Sequence, residues 1–357
     1  MLKSLAKKFE QILNALSVDI GIDLGTANTL VYIKGKGVVL NEPTIVALNK
    51  KTGQLVAVGR DAQEMYGRTP VHIEVVRPLV DGVISDFEVT EEMLSYFISK
   101  VREGARTFVA PRVLVGVPSG ITNVEMRAVR DAAKNAGARE VFLIEEPVAA
   151  AIGAKLPIHK AQGSMVIDIG GGTTDIAVLS INGIVASRNI KVAGDHLNQA
   201  IVSYIRDQFK VLVGNKTAEE TKMLLASVEE EGEAKELVVR GRDVVTGLPR
   251  EVVITTSDIR EAITPCIHAI VEAARDILEV TPPEILADVM QRGLYLSGGG
   301  ALITGVSELL EEVLKVPVIV VSDPLRAVIR GNGIVLENLD EYAELLVEKE
   351  GELSPQF

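Results

Sequence analysis

The sequence predicts a duplicated α/β fold with two lobes, and three features of the chain predict it. Two glycine-rich segments about 145 residues apart, at 19–29 and 166–178, each run from an apolar β-strand through an acidic residue into a turn and out as another strand. Strand-like and helix-like segments alternate after both, which is typical of sheets rich in parallel strands. The 357 residues are too many for one ordinary core and suit two domains of typical size.

Both turns have the composition of a phosphate-binding site. Glycine lets backbone N–H groups approach an anion closely, and hydroxyl residues add donors. The acidic residues, Asp23 and Asp168, suit such a site if a divalent cation lies between each carboxylate and the phosphate. Because both turns lead into strands, they differ from a Walker P-loop or a dinucleotide fingerprint, which open a helix. Two such turns, one in each lobe, predict that the chain binds a nucleoside triphosphate.

The first 16 residues predict an amphipathic helix ahead of the first lobe. Apolar residues recur there at intervals of three and four, and lysines lie off the apolar stripe. On an otherwise acidic protein this pattern indicates an anionic membrane surface, and a helix packed on the protein itself or on a partner is the alternative. The stripe consists of Leu2, Leu5, Phe9, Ile12, Leu13 and Leu16.

The remaining elements of the first lobe follow from local patterns. Continuous apolar runs predict buried strands, and glycine ends the helix between them. The expected elements are short β-runs at 18–48, a small polar insertion at 49–80, a buried strand at 111–118, a helix from Thr122 to Ala136, a buried strand at 141–144 and a short helix at 148–154.

The second lobe opens at Gly163 with the same strand–turn–strand pattern. Its insertion, at about 197–257, carries a charged helical stretch and a hairpin-like stretch at 240–250. The segments expected after it are a long helix to about Glu279, a strand at 293–296, a glycine turn at 297–301 and an acidic, flexible tail at 346–357.

Composition excludes several classes of protein. A net charge of −12 argues against nucleic acid as a bulk partner, because phosphate binding needs a basic surface. No run approaches the ~18–20 apolar residues of a membrane-spanning helix. Cys266 is the single cysteine, which indicates a reducing cytoplasm without disulfides. Without metal-ligand spacing around them, Cys266 and His268 are interpreted as packing residues of a helix.

Together these residues resemble the actin, sugar-kinase and heat-shock-chaperone ATPase superfamily, and within it the bacterial actin homologues of the MreB family. The turns alone indicate only the superfamily. Two stretches that no ATPase chemistry requires, at 81–83 and 246–249, narrow the resemblance to the family. It covers nearly the whole chain and is most specific at 19–29, 41–43, 77–87, 142–153, 168–175, 241–249 and 297–300.

The resemblance implies an actin-like duplicated two-lobe fold with ribonuclease H-like cores and four subdomains around an interlobe ATP cleft. The implied segments are a membrane-binding helix at 1–16, a first large subdomain at 17–48 with 81–160 and about 328–345, a first small subdomain at 49–80, a second large subdomain at 161–196 with 258–327, and a second small subdomain at 197–257.

The resemblance also implies a function: slow ATP hydrolysis coupled to polymerisation into paired protofilaments. Such filaments lie on the cytoplasmic, anionic face of the inner membrane, direct lateral cell-wall synthesis and maintain rod shape. The implied partners are other copies of the chain, the membrane surface and membrane proteins of the wall-elongation machinery such as RodZ, MreC and MreD, with no nucleic acid.

Roles for the turn residues come from the same resemblance. Asp23 and Asp168 would face each other across the cleft and hold Mg²⁺ through its waters, because Mg²⁺ loses water reluctantly. The backbone of both turns would cradle the β- and γ-phosphates of ATP. The residues concerned are Gly25, Thr26, Ala27 and Asn28 in the first turn and Gly170, Gly171, Gly172 and Thr173 in the second.

Hydrolysis also needs a residue that orients the attacking water. The superfamily places this residue directly before the proline at 147, which gives Glu146, and neighbouring Glu145 is the other candidate. A purely structural role for Glu146 is to stabilise the N-terminus of the helix that follows. Thr173 would help to hold the water, or it would bind phosphate only.

For adenosine, the resemblance implies that the glycine turn formed by Gly298, Gly299 and Gly300 passes close to the base and the α-phosphate. Glu219 and Lys222 would contact the ribose and the base, although a pair at this spacing is commonly a surface ion pair. The segment at 223–227 departs from the family's pattern there. Gly194 and Asp195 would lie near the ribose or the phosphates.

A membrane contact is also implied in the first lobe. In the family the loop matching 107–111 carries an apolar pair that enters the bilayer, so Phe108 and Val109 inherit that role by resemblance, and packing of Phe108 on the core is the alternative. A sugar kinase is a competing function, but no carboxylate base for an alcohol is evident in the first lobe. A chaperone ATPase is another, but the chain after the second lobe leaves no room for a peptide-binding domain.

Overall fold

The computed structural model describes residues 17–105, 109–230, 232 and 234–347. Of these, the residues up to Pro157 and those from Arg326 form one compact unit, and Ile158–Leu325 form a second. The amphipathic stripe expected at 1–16, Phe108 and most of the tail expected at 346–357 lie outside the described residues.

Strands and helices share the core of the first unit. Its strands are β1 (Ile20–Leu24), β2 (Asn28–Ile33), β3 (Gly37–Pro43), β4 (Val46–Asn49), β5 (Leu55–Val58), β6 (Ile73–Val76), β7 (Leu79–Val80), β8 (Val83–Ile84), β9 (Arg112–Val117) and β10 (Glu140–Glu145). Its first helices are α1 (Arg60–Met65), α2 (Phe87–Ala105), α3 (Asn123–Asn135) and α4 (Glu146–Gly153).

The second unit repeats this arrangement. Its strands are β11 (Ser164–Ile169), β12 (Thr174–Ser180), β13 (Gly183–Ile190), β14 (Val211–Leu212), β15 (Glu236–Asp243), β16 (Pro249–Thr255), β17 (Leu294–Ser297) and β18 (Val318–Val320). Its helices are α5 (Gly194–Phe209), α6 (Asn215–Leu225), α7 (Thr256–Val280), α8 (Pro283–Arg292) and α9 (Val306–Leu314), after which α10 (Ala327–Glu337) belongs to the first unit.

The two main sheets share one topology. The first has the order β10-β9-β1-β2-β3, and the second has the order β18-β17-β11-β12-β13. In each, the opening strand pairs antiparallel with the strand that follows it and parallel with a strand much later in the chain. The duplication predicted from the two glycine turns therefore extends to the whole five-stranded sheet.

Central strands of these sheets are buried on both faces. The consecutive residues Val113, Leu114 and Val115 of β9 have no exposed surface, and Met165, Val166 and Ile167 of β11 have at most 1%. Burial of alternate and intervening residues alike is expected for strands covered by helices on both sides, which is why β9 reads as a continuous apolar run.

Helix α3 shows how local sequence sets an element's limits. Thr122 accepts a hydrogen bond from the backbone N–H of Glu125, whose carboxylate accepts one from the N–H of Thr122, forming a capping box. Gly137, with φ of 104°, follows the C-terminus, where only glycine adopts this conformation without strain. The helix predicted from Thr122 to Ala136 is confirmed to within one residue at each end.

Both insertions form small sheets of their own. The first has the order β5-β4-β6 and includes α1, so the region expected to be a polar insertion at 49–80 shares a sheet that begins at Val46. The second, β14-β15-β16, contains the predicted hairpin at 240–250. Within α7, Cys266 is half-buried against the core, whereas His268 is exposed, so its interpretation as a packing residue is wrong.

Candidate functional site

The second glycine turn is a tight hairpin between β11 and β12. Ile169 pairs with Thr174, which leaves residues 170–173 as the turn, and the N–H of Gly170 donates to the carbonyl of Thr173 at 2.9 Å. The first turn has the same construction, since Leu24 pairs with Thr29 and leaves residues 25–28. Both turns therefore place backbone amides at the end of a buried strand that carries an aspartate.

Asp168 lies at the end of β11 with only 7% of its surface exposed. Its register partner on β17 is Ser297, whose Oγ donates a hydrogen bond to Asp168 Oδ1. Burial raises the pKa of Asp168 to about 6, and the hydrogen bond from Ser297 opposes that rise. A carboxylate that burial has made costly to ionise gains strongly from a nearby cation. No role for Ser297 was predicted, although it directly precedes the glycine run.

The turn at 298–300 packs directly on this strand. Gly298 has φ of +79°, and a Cβ at this position would clash with the carbonyl oxygen of Ile169. At Gly300 a Cβ would clash with the Ile169 side chain, whereas at Gly299 it would meet only Leu325 Cδ2, at 3.4 Å. Glycine is therefore required at positions 298 and 300 for the turn to pack against Ile169.

The N-terminus of α5 lies against the other side of the second turn. The N–H groups of Gly194 and Asp195 donate to the carbonyls of Gly170 and Gly171, at 3.1 and 2.7 Å. A Cβ at Gly194 would lie 3.3 Å from the Gly170 oxygen and from Lys222 Nζ. The structure thus brings Gly194 and Asp195 into direct contact with the predicted phosphate turn.

Glu219 and Lys222 of α6 belong to the same cluster. Lys222 Nζ donates to Glu219 Oε2 at 2.8 Å and to the carbonyl of Gly194 at 3.0 Å. The lysine side chain is only 13% exposed, whereas that of Glu219 is 46% exposed. An ordinary surface pair would leave both side chains in solvent, so this pair is tied to α5 and through it to the turn. Asn198 on α5, which was not predicted, donates to Glu219 Oε2 as well.

The first turn is fixed from one side and open at its tip. Thr44 donates through Oγ1 to the carbonyl of Gly25 at 2.6 Å and through its N–H to the carbonyl of Ala27 at 3.0 Å. Thr26 is buried, while Ala27 and Asn28 are exposed. The exposed backbone at the tip is the part of this turn that an anion can reach.

The stretch at 81–83 also has a place in this unit. Asp81 and Gly82 have φ of 50° and 78° and form the turn of the β7–β8 hairpin, a geometry that favours glycine. The N–H of Gly82 donates to Thr26 Oγ1 at 3.0 Å. A segment that no ATPase chemistry seemed to require therefore supports the first glycine turn.

Glu146 lies at the start of α4, 8% exposed, beside a glycine in β9. That glycine, Gly116, is the register partner of Asp23. A Cβ at Gly116 would lie 3.3 Å from Val328 Cγ1 and in ordinary van der Waals contact with Glu146 Cγ, at 3.6 Å, so Glu146 packs next to this strand position. Glu145, 4% exposed, is the last residue of β10. Gly116 was not predicted to matter, because a glycine within an apolar run gives no signal.

Helix α10 holds α4 in place. A Cβ at Gly331 would clash with the carbonyl of Ala149, and a Cβ at Gly153 would clash with the carbonyl of Ala327. Arg330 Nε donates to the carbonyl of Gly153 at 3.3 Å. The two helix backbones therefore lie in direct contact, which fixes the direction in which α4 presents its first residue, Glu146.

Protein ligands for a metal are few in this part of the chain. Within the described ranges, no group of three or more histidine, cysteine or acidic side chains could hold a metal ion. A divalent ion beside Asp23 or Asp168 would take most of its oxygen ligands from water and phosphate, which is the mode that Mg²⁺ favours.

Among the described residues, no helix is long and apolar enough to cross a membrane.

The family model for MreB/Mbl protein matches residues 17–344. The chain belongs to the MreB/Mbl family. It is 50% identical over 323 residues to the cell shape-determining protein Mbl of Bacillus subtilis, covering 90% of this chain and 97% of that protein. It is 48% identical over 348 residues to the cell shape-determining protein MreB of Escherichia coli K12, covering 96% and 99%.

Solved structures agree with this assignment. MreB5 of Spiroplasma citri bound to ADP superposes with a TM-score of 0.87 at 40% identity, covering 92% of this chain and 98% of that one. The same protein bound to AMPPNP gives 0.86 at 39% identity. A MamK filament subunit gives 0.77 at 22% identity, which bears on the fold alone. The predicted resemblance to the MreB family and the actin-like α/β fold are confirmed.

Proposed function

We propose that this chain is an ATP-binding and ATP-hydrolysing cytoskeletal protein that polymerises into membrane-associated filaments, directs lateral wall synthesis and maintains rod shape. The observation that carries the nucleotide part is the duplicated hairpin turn, with an aspartate at the end of the preceding strand in each unit. A relative 40% identical to this chain, MreB5 of S. citri, has been solved with ADP, which supports a nucleotide as the ligand.

In this proposal the residues of both turns act on one Mg-ATP. Asp23 and Asp168 hold Mg²⁺ through its waters, and the ion, when bound, neutralises phosphate charge. The backbone N–H groups of residues 25–28 and 170–173 bind the phosphates, with Gly194 and Asp195 behind the second turn. Gly298–Gly300 lie along the nucleotide, and Glu219 with Lys222 contacts the ribose and the base.

In this proposal Glu146 orients the attacking water, and Thr173 helps to hold that water. The Glu146 side chain packs beside Gly116, the register partner of Asp23, with its Cγ 3.6 Å from where a Cβ of residue 116 would lie. An interaction made chiefly with the water affects turnover more than binding, so Glu146→Ala should lower kcat by about 10²–10⁴-fold and leave ATP affinity largely unchanged.

The test measures phosphate release and nucleotide affinity together, with light scattering to follow polymer. Glu145→Ala, which removes the adjacent buried carboxylate, is the matched control. If Glu145→Ala abolishes hydrolysis and Glu146→Ala does not, the water-orienting role belongs to Glu145. Turnover that requires an added sugar would replace the whole proposal with a sugar kinase.

Polymerisation is proposed because relatives about half identical to this chain are cell shape-determining proteins. A single folded chain of this length measures on the order of nanometres, so cell shape can be set only by a much longer assembly. We propose self-association into paired protofilaments, with wall-elongation membrane proteins such as RodZ, MreC and MreD as further partners.

Membrane attachment on the cytoplasmic face of the inner membrane is proposed from the apolar stripe of residues 1–16 and from Phe108 with Val109. Each buried apolar side chain gives at most about 1.5–3 kcal/mol, so one subunit binds weakly and a filament adds these contacts along its length. ATP-dependent filaments should therefore sediment with anionic liposomes far better than monomers. Deletion of residues 1–16 combined with Phe108→Ser and Val109→Ser should abolish this and preserve ATPase activity. Undiminished sedimentation of that variant would refute the membrane proposal.

A further inference from the structure

Asn198 is a buried amide within the cluster around the second turn. It lies on α5, one helical turn after Gly194, and is 4% exposed. Its Nδ2 donates to Glu219 Oε2 at 2.5 Å. Lys222 Nζ donates to the same oxygen. One oxygen of the Glu219 carboxylate is therefore held by two donors from two helices.

The orientation of this amide is determined by its partner. An ionised carboxylate only accepts hydrogen bonds, so the nitrogen of Asn198 must face Glu219 and the oxygen must face away. That oxygen, Oδ1, is buried and has no hydrogen-bond partner among the residues described. A buried acceptor without a partner destabilises a fold, and leucine, of similar size, would avoid this cost. The amide thus holds Glu219 at a cost to the stability of the fold.

Glu219 is oriented by this arrangement toward solvent. Both of its hydrogen bonds within the described part of the chain go to Oε2, while the side chain is 46% exposed. Oε1 is left as a charged acceptor at the rim of the cluster, suited to a hydroxyl or amino donor of a ligand. An acceptor of this kind selects between nucleosides only if its position is fixed.

The same hydrogen bonds connect Glu219 to the phosphate turn. Lys222 bonds both Glu219 and the carbonyl of Gly194, and the N–H of Gly194 bonds the carbonyl of Gly170. The sugar and the phosphates of a nucleotide are joined at a fixed covalent spacing. An acceptor for the sugar must therefore be held at a fixed distance from the turn that binds the phosphates, and this chain of bonds does so.

We propose that Asn198 is a positioning residue that fixes the Glu219 carboxylate as the acceptor for a ribose hydroxyl and thereby sets the preference for ribonucleotides. This inference rests on the proposed ATP-binding function. It adds to that function a residue outside the glycine turns and, of the ribose and base contacts proposed for Glu219 and Lys222, assigns the ribose contact to Glu219.

The experiment measures the affinities of ATP, 2′-deoxy-ATP, 3′-deoxy-ATP and purine riboside triphosphate, with Mg²⁺, for the full chain and for Asn198→Leu and Asn198→Asp. Asn198→Leu should weaken ATP by roughly 3- to 10-fold, the range for one hydrogen bond, and should weaken at least one deoxy analogue much less. Asn198→Asp, which cannot donate and adds a negative charge beside Glu219, should show the same pattern more strongly. The melting temperature of nucleotide-free Asn198→Leu should equal or exceed that of the parent.

The control is Asn135→Leu, which removes another bond of this type, from Asn135 Nδ2 to Glu91 Oε2, in the first unit. It should leave all four affinities unchanged. The inference is overturned if Asn198→Leu weakens ATP and both deoxy analogues equally, if it alters none of them, or if it lowers the melting temperature. It is also overturned if only the response to purine riboside triphosphate changes, because Glu219 then contacts the base. A parent protein that binds none of the four nucleotides would refute the proposed function itself.

Discussion

Replacing Ser297 by alanine tests whether its hydroxyl keeps Asp168 ionised. Ser297 has no exposed surface, and its Oγ donates to Asp168 Oδ1. Burial has already raised the pKa of Asp168 to about 6, and the hydrogen bond opposes that rise. Ser297→Ala should therefore raise this pKa further, because the ionised form loses a donor and gains nothing in its place.

The size of the effect follows from the hydrogen bond. A bond to a charged group contributes about 1.5–3 kcal/mol, and about 1.4 kcal/mol corresponds to a tenfold change in a protonation equilibrium. If Mg-ATP binds only the ionised form, the affinity in Ser297→Ala should fall by roughly 7- to 80-fold at pH 6 and by roughly 2- to 15-fold at pH 7. At pH 8.5 Asp168 is mostly ionised in both proteins, and the affinities should agree to within about twofold.

The assay is titration of Mg-ATP at several values between about pH 6 and 8.5, where Asp168 changes charge in both proteins. Ser187→Ala is the matched control, since Ser187 is a buried serine of the same sheet whose Oγ has no hydrogen-bond partner among the described residues. It should leave the pH dependence unchanged. A loss of affinity in Ser297→Ala that is equal at all pH values would refute the reasoning, because the hydroxyl would then act on geometry and not on charge.

Three further predictions concern stability. Asp168→Asn should raise the melting temperature of the nucleotide-free protein near pH 7. In the parent protein the pKa of Asp168 is raised from 3.8 to about 6. The parent therefore loses folding free energy, on the order of 3 kcal/mol, as the pH rises from below 3.8 through 6, and asparagine avoids this loss. Thermal melts should show that the advantage of Asp168→Asn vanishes at acid pH. Gly298→Ala should lower the melting temperature more than Gly299→Ala, because only position 298 combines a positive φ with a backbone clash; equal losses would contradict this. Gly331→Ala, which would drive a methyl group into the Ala149 carbonyl, should cost several kcal/mol by urea unfolding, whereas Gly214→Ala, in open space at the N-cap of α6, should cost at most about 1 kcal/mol.

Much of the fold could be predicted because its signals are local. The hairpin turns, the buried strand β9 and the capping box of Thr122 with Glu125 each depend on residues within a few positions of one another. The bond between the Gly82 N–H and Thr26 Oγ1 joins residues 56 positions apart and has no local signature. Such contacts depend on how distant segments pack against each other, and this packing cannot be predicted from the local sequence.

The parts of the candidate site that have local sequence signals could be predicted, and the parts that depend on contacts between distant segments could not. Glycine turns with an adjacent aspartate indicate a phosphate site by composition, so Asp168 and Gly170 could be found from sequence. Ser297 and Asn198 could not, because each acts on a partner brought near by the fold: Asp168 and Glu219. A pair such as Glu219 and Lys222 also has a common surface interpretation, and the burial of Lys222 together with its bond to the Gly194 carbonyl argues against it.

The two equivalent sheets place different residues beside their turn aspartates. Asp23 pairs with Gly116 in the first unit, and Asp168 pairs with Ser297 in the second. A Cβ at Gly116 would meet Val328 Cγ1 at 3.3 Å, whereas the Ser297 hydroxyl donates to Asp168 itself. A larger side chain at position 116 would therefore crowd Val328, and a glycine at position 297 would leave the buried Asp168 carboxylate without this donor. Under the proposed function, two similar phosphate turns thus differ in what the neighbouring strand offers: a serine donor beside Asp168 and a glycine beside Asp23.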